Sequence, residues 1–190
     1  MAAQLARRGV AALLIEGGGR EGLGTAFSTD EPAHLLNVRA EAMSAWPDEP
    51  ADFARATGDP RGFAQRREFG RYLRAILAEA VASGLVEIAK SKAVNAVRRG
   101  AEWVVELEDG ATISSEALVL ANGNQPPEPL TVGAEAERCV INNPWSEEAA
   151  AAIAQAAASD GDVLLIGTGL TMIDTVLSLC AAEHGGRIVA

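Results

Sequence analysis

Residues 163–174 read VLLIGTGLTMID. An apolar run, Val163 to Ile166, passes directly into Gly167-Thr168-Gly169, and a helical stretch follows. This is the pattern of a strand, a tight turn and a helix. Glycine permits the turn and a close backbone approach, while the helix N-terminus presents unsatisfied N–H groups to an anion. A dinucleotide-binding βαβ unit holds a pyrophosphate in this way. The third glycine of G-x-G-x-x-G is replaced by Met172, which weakens the match, because that glycine lets helix and strand pack closely. A strand-to-helix turn without a ligand accounts for the same residues. Asp174, one turn into the helix, is either a solvated helix-start acid or a functional one. RIVA (187–190) begins one more strand.

The opposite end carries a matching half-unit. Met1–Arg8 reads as the tail of a helix stopped by Gly9, and VAALLIE (10–16) as a strand buried on both faces of a parallel sheet. The strand ends on Glu16 beside Gly17, Gly18 and Gly19. An acid at the end of the second strand of a dinucleotide unit accepts hydrogen bonds from a ribose 2′-OH. It follows the glycine loop that it serves by about 20 residues. Counting back from Glu16 passes Met1, so that loop is expected in a longer parent sequence. A surface acid at a strand end is the competing explanation.

Between these ends, residues 17–60 are irregular and rich in Gly, Pro, Asp, Ser and Thr, and a loop this long in a compact domain is usually functional. In residues 67–84, Phe69, Leu73, Ile76, Leu77 and Ala80 fall near helical spacing, giving an amphipathic helix closed by Gly84. Residues 85–100, 101–110 and 111–123 alternate apolar and polar positions between glycine turns, which predicts an antiparallel meander of three strands. The last is expected to end in a doubly buried strand, ALVLA (117–121), beside the small residues Ala121, Asn122 and Gly123. NQPPEP (124–129) is a break, and residues 131–146 read as loop. Residues 146–161 form a helix with Ser146 as N-cap and two acids in its first turn.

The 190 residues carry a net charge of -10, with no basic stripe, so binding to nucleic acid or to an anionic membrane surface is not expected. Cys139 and Cys180 make no C-x-x-C pair, and with no signal peptide or apolar span in view the expected location is cytoplasmic. Nothing has zinc-ligand spacing, and neither a G-x-S-x-G elbow nor a G-x-x-x-x-G-K-[ST] loop is present.

Taken together, LLIEGGGREGLGTAFST (13–29), HLLNV (34–38), RREFGRYL (66–73), ALVLANGNQPP (117–127) and VLLIGTGLTMIDTVLSL (163–179) resemble the two-dinucleotide-binding flavoproteins. More closely, they resemble a bacterial family of FAD/NAD(P)-binding proteins. The resemblance covers most of the chain. It implies an α/β, Rossmann-like FAD/NAD(P)-binding fold with a parallel sheet and an antiparallel β-meander, incomplete at both ends. Residues 1–130 would be a partial FAD-binding domain, and 131–190 a linker and the start of an NAD(P)-binding βαβ unit.

The same resemblance implies site roles. Glu16 would bind the adenosine ribose of FAD, with Gly17, Gly19, Arg20 and Gly24 along the cofactor beyond it. His34, Leu36 and Asn37 would approach the flavin. Ala93 and Val94 hold the strand position that meets adenine through its backbone. Ala121, Asn122 and Gly123 stand where such flavoproteins often have Ala-Thr-Gly. Gly167, Thr168 and Gly169 would form the second site, for NAD(P)H. No catalytic base or nucleophile is assigned, and none is needed where a flavin carries the hydride chemistry.

The implied activity is an FAD-dependent oxidoreductase in which NAD(P)H reduces the flavin and electrons pass to oxygen or an organic acceptor. The substrate is not specified. Two alternatives are a Rossmann-like module that holds a nucleotide without turnover and a methyltransferase-type α/β domain. The second strand–GTG–helix unit argues against the latter, since one cofactor needs one such unit. Without the first glycine loop and strand, the 190-residue chain alone is expected to bind FAD weakly and to be marginally stable.

Overall fold

The computed structural model describes residues 1–123, 127–133 and 139–190. Residues 124–126 of the expected break and 134–138 of the expected loop lie outside the described residues. The chain divides into two compact units, one of Met1–Asp30 with Leu35–Gly123, the other of Glu31–His34 with Asn124–Ala190.

In the first unit, α1 (Ala2–Ala6) leads into β1 (Ala12–Ile15), which pairs in parallel with β2 (Val86–Ala89) in the register Ala12↔Val86 to Ile15↔Ala89. The connection between them contains α2 (Asp52–Thr57) and α3 (Arg66–Ala82). The C-terminal half of α3 covers the strands, where Leu77, Ala80 and Val86 close with Ala6 of α1 around Leu14 and Ile88. Its N-terminal half packs on the long loop: Phe69 lies edge-on to Phe27 and Phe53, each at 4.9 Å between ring centroids, beside Leu36, Ala40 and Ala54. Much of the irregular segment is therefore core-forming. Tyr72 stitches it further, accepting from the Ala45 amide at 3.1 Å and donating to Asp52 at 2.8 Å.

Gly70 shows how closely this loop lies on the helix. A Cβ there would stand 2.5 Å from the carbonyl oxygen of Phe27. At the helix start, the Glu68 carboxylate accepts the Gln65 amide at 2.9 Å, half of a capping box.

β3 (Ala93–Arg99), β4 (Glu102–Leu107) and β5 (Thr112–Ser115) form the antiparallel meander. Three details differ from the sequence expectation. The segment Val86–Ala89 pairs with β1, and the meander begins only at Ala93, because the chain turns at Lys90–Lys92, with the Ser91 amide bonding back to Ala89 O at 3.0 Å. ALVLA is not a strand: residues 117–121 lie outside both sheets, with Val119 and Leu120 exposed, because an apolar run becomes a strand only beside a hydrogen-bonding neighbour. β1 is buried on one face only, since α1 and α3 cover that side and Leu13 on the other remains 41 % exposed.

The second unit contains α4 (Glu147–Ala157), β6 (Val163–Leu164), α5 (Leu170–Ala181) and β7 (Ile188–Val189). β6 and β7 are parallel, Val163 opposite Ile188 and Leu164 opposite Val189, so strand, helix and strand follow in the predicted order. The Ser146 hydroxyl caps α4 by accepting from the Ala149 amide at 3.1 Å. Arg187 forks onto Asp162 at the start of the strand pair and holds that carboxyl below its ordinary range.

Candidate functional site

The carboxyl ends of parallel strands are where α/β sheets bind ligands. The Glu16 amide extends the β1–β2 ladder by donating to Ala89 O at 3.0 Å, so its side chain leaves at that edge, half-buried. Glu16 Oε1 accepts the Gly18 amide at 2.7 Å, which fixes the carboxylate against its own glycine loop. Gly17 makes the next step possible. A Cβ there would stand 2.7 Å from Lys92 Cγ and 3.0 Å from Lys92 N and Ser91 C. Only a bare backbone lets the loop after β1 lie against the turn before β3.

That turn leads into an irregularity. Ala93 faces Leu107 and Asn95 faces Glu106, so Val94 is the extra residue of a bulge and is 59 % exposed. A bulged residue drops out of the ladder and offers its own amide and carbonyl elsewhere. Glu16, Gly17, Ala93 and Val94, far apart in sequence, are thus gathered at one edge. A nucleoside fits such an edge: a carboxylate for ribose hydroxyls, a bare backbone for close approach and an unladdered peptide for a base.

Beyond Gly17, Gly19 and Gly24 take left-handed φ values of 65° and 60°. The Arg20 carbonyl accepts the Leu23 amide at 2.9 Å, turning the loop onto α3, where Leu23 is buried. In HLLNV the three expected residues diverge. Leu36 is buried in the aromatic core and its amide bonds Ala64 O at 2.9 Å. His34 packs against α5: Nε2 lies 3.1 Å from the carbonyl of Asp174 and 3.0 Å from Ser178 Oγ. A carbonyl only accepts, so Nε2 carries the proton. Asn37 is exposed and meets Arg66. Ala121, Asn122 and Gly123 stand exposed past β5.

In the second unit, Gly167, with φ of 113°, and exposed Thr168 lead to Gly169, the N-cap of α5. No side chain caps this helix, in contrast to α4. Its first-turn N–H groups suit an anion. Asp174 is buried rather than solvated. Among the described residues no group of His, Cys, Asp and Glu could hold a metal, and no helix is long and apolar enough to cross a membrane.

Sequence reasoning did not find Lys92, Ser91 or Arg66. Ser91 and Lys92 carry no motif of their own, and Arg66 sits at a helix start where an arginine reads as solvated. The isolated glycine within a helical pattern at position 70 was the one available signal of close packing.

A family model for FAD-NAD(P)-binding proteins matches residues 1–125. The chain belongs to the FAD-NAD(P)-binding family. That match spans the whole Glu16–Val94 edge. Solved structures similar to this FAD-NAD(P)-binding chain include the lysine monooxygenase NbtG from Nocardia farcinica, at 19% identity and a TM-score of 0.51, covering 96% of this chain and 54% of that one. An oxidoreductase from Agrobacterium tumefaciens matches at 16% identity and a TM-score of 0.43, covering 100% of this chain and 60% of that one. The first likeness supports the Rossmann-like fold. The chain spans a little over half the length of these structures. No curated protein matches it.

Proposed function

We propose that this chain contributes the adenosine end of an FAD site and the start of an NAD(P)H site to a flavin-dependent oxidoreductase. The observation that carries the proposal is the gathered edge of Glu16, Gly17 and bulged Val94. Bound FAD would supply the acceptor for a hydride from NAD(P)H and pass electrons to oxygen or an organic acceptor. The chain's own part is binding and orientation. Glu16 holds ribose hydroxyls, Gly17 lets the backbone come close, and the Val94 peptide meets the base. Gly167, Thr168 and the uncapped start of α5 hold the pyrophosphate of the second nucleotide. The solved oxidoreductase and monooxygenase neighbours are consistent with this class of chemistry.

The test uses the protein expressed from its whole reading frame. It should carry a flavin band near ~450 nm, as purified or after added FAD, and the band should bleach anaerobically with NADPH or NADH. No flavin uptake refutes the proposal. Uptake without reduction by either nucleotide favours a binding module without turnover.

A further inference from the structure

The turn after β2 carries Lys90 and Lys92, and only the first is engaged. Lys90 Nζ lies 3.9 Å from Glu21 Oε1. The Lys92 ammonium has no hydrogen bond or ion pair among the described residues, and the residue is exposed. Its backbone is fixed, because its carbonyl accepts the Glu108 amide at 2.9 Å. Its stem lies against bare Gly17, where a Cβ would stand 2.7 Å from Lys92 Cγ. Lys92 therefore touches the residue that follows Glu16, and it stands just before Ala93 and the bulged Val94. Glu16 is half committed: Oε1 takes the Gly18 amide at 2.7 Å, and Oε2 has no partner among the described residues. An unengaged donor and an unengaged acceptor, opposite in charge, flank the same glycine.

A hydroxyl has one proton to give and lone pairs to fill. A carboxylate only accepts, and an ammonium only donates. Glu16 alone therefore satisfies one half of a ribose hydroxyl. We infer that Lys92 is a second ribose-binding residue, whose ammonium donates to the diol whose protons Glu16 accepts. The inference rests on the adenosine reading above. The flexible four-carbon stem and three donors of a lysine suit it to reach past Gly17 to such a group. Together the pair selects for a nucleotide with both ribose hydroxyls free, since a sugar without them leaves donor and acceptor unused.

Lys92→Met keeps a stem over Gly17 and removes the donor. In calorimetric titrations of the protein from the whole reading frame, K92M should bind ADP about fivefold more weakly than the wild type. 2′,3′-Dideoxy-ADP keeps the base and both phosphates but lacks the diol, and it should bind the wild type and K92M alike. Lys92→Arg, which still donates, should recover most of the ADP affinity. Lys90→Met, which removes the neighbouring charge, should leave it unchanged. The inference is overturned if K92M binds ADP as the wild type does. It is also overturned if K92M loses the same factor for ADP and for the dideoxy compound, the mark of a lysine that attracts only phosphates. Wild-type protein that binds neither ADP nor FAD overturns the adenosine reading, and this inference with it.

Discussion

Gly70→Ala should destabilise the protein even though it replaces glycine by the best helix former. In an unobstructed helix interior, this change is favourable by about 1 kcal/mol. Here the new methyl would stand 2.5 Å from Phe27 O and 3.3 Å from Leu23 Cδ2, where ordinary contact begins at 3.4 Å. The nearest atom is backbone, so no rotamer change relieves it. The loop must move off α3 by almost an ångström, and Phe27 moves with it, although its ring packs edge-on to Phe69 at 4.9 Å. Overpacking of this kind costs about 1–3 kcal/mol. Set against the helix gain, the expected net loss is about 1 kcal/mol, with the upper end near 2. Urea unfolding should show a lower midpoint at unchanged slope. The same shift should loosen the loop that carries Gly19 to Gly24, so FAD affinity should fall as well. A variant as stable as the wild type, or more so, would refute the reasoning, because it would mean the loop does not lie on Gly70.

Other consequences are equally specific. Ser146→Ala removes the α4 cap and should cost about 1 kcal/mol, read as faster amide exchange in the first turn of α4. Glu148, lowered by its own backbone N–H and by Ser146, should then titrate closer to an ordinary glutamate in a carbon-13 NMR titration. Tyr72→Phe removes one donated and one accepted hydrogen bond and should cost about 1 kcal/mol by chemical denaturation. Burial raises the Tyr72 phenol, so its contribution is present below the ordinary tyrosine value and lost as pH rises through the raised one; Tyr72→Phe should flatten that alkaline limb. Asp162 is lowered by its hydrogen bonds from Arg187, so its contribution is present above the ordinary aspartate value and lost as acid protonates it below that value. Arg187→Ala should move the Asp162 carboxyl titration upward toward the ordinary aspartate value, the backbone N–H of residue 187 still holding it partly down.

Periodicity carried the regular elements well. The spacing of Phe69, Leu73, Leu77 and Ala80 gave α3, and VLLIGTGLTMID gave the strand, turn and helix of the second unit. Local chemistry also identified the Ser146 cap. What failed were statements about neighbours. ALVLA is apolar enough for a buried strand, yet strand formation depends on a partner that composition does not name. Val86–Ala89 looked like the first strand of a meander because alternation is the same whether the partner is parallel or antiparallel. The long loop read as irregular because its core residues, Phe27, Leu36, Ala40 and Phe53, follow no single period. For the candidate site, the place of Glu16 and its glycines just past a strand end was legible from the sequence, but the turn at Ser91–Lys92 that lies against Gly17 exists only in three dimensions.

On the proposed reading, FAD is held where Gly17 lies bare against the Ser91–Lys92 turn. Titrating FAD, followed by its fluorescence, into the protein from the whole reading frame and into its Gly17→Val variant tests this most directly. Saturable binding to the wild type is expected, with a loss of about tenfold or more in the variant, since a branched side chain must push the two segments apart. Equal binding by both proteins, or no binding by either, would contradict it.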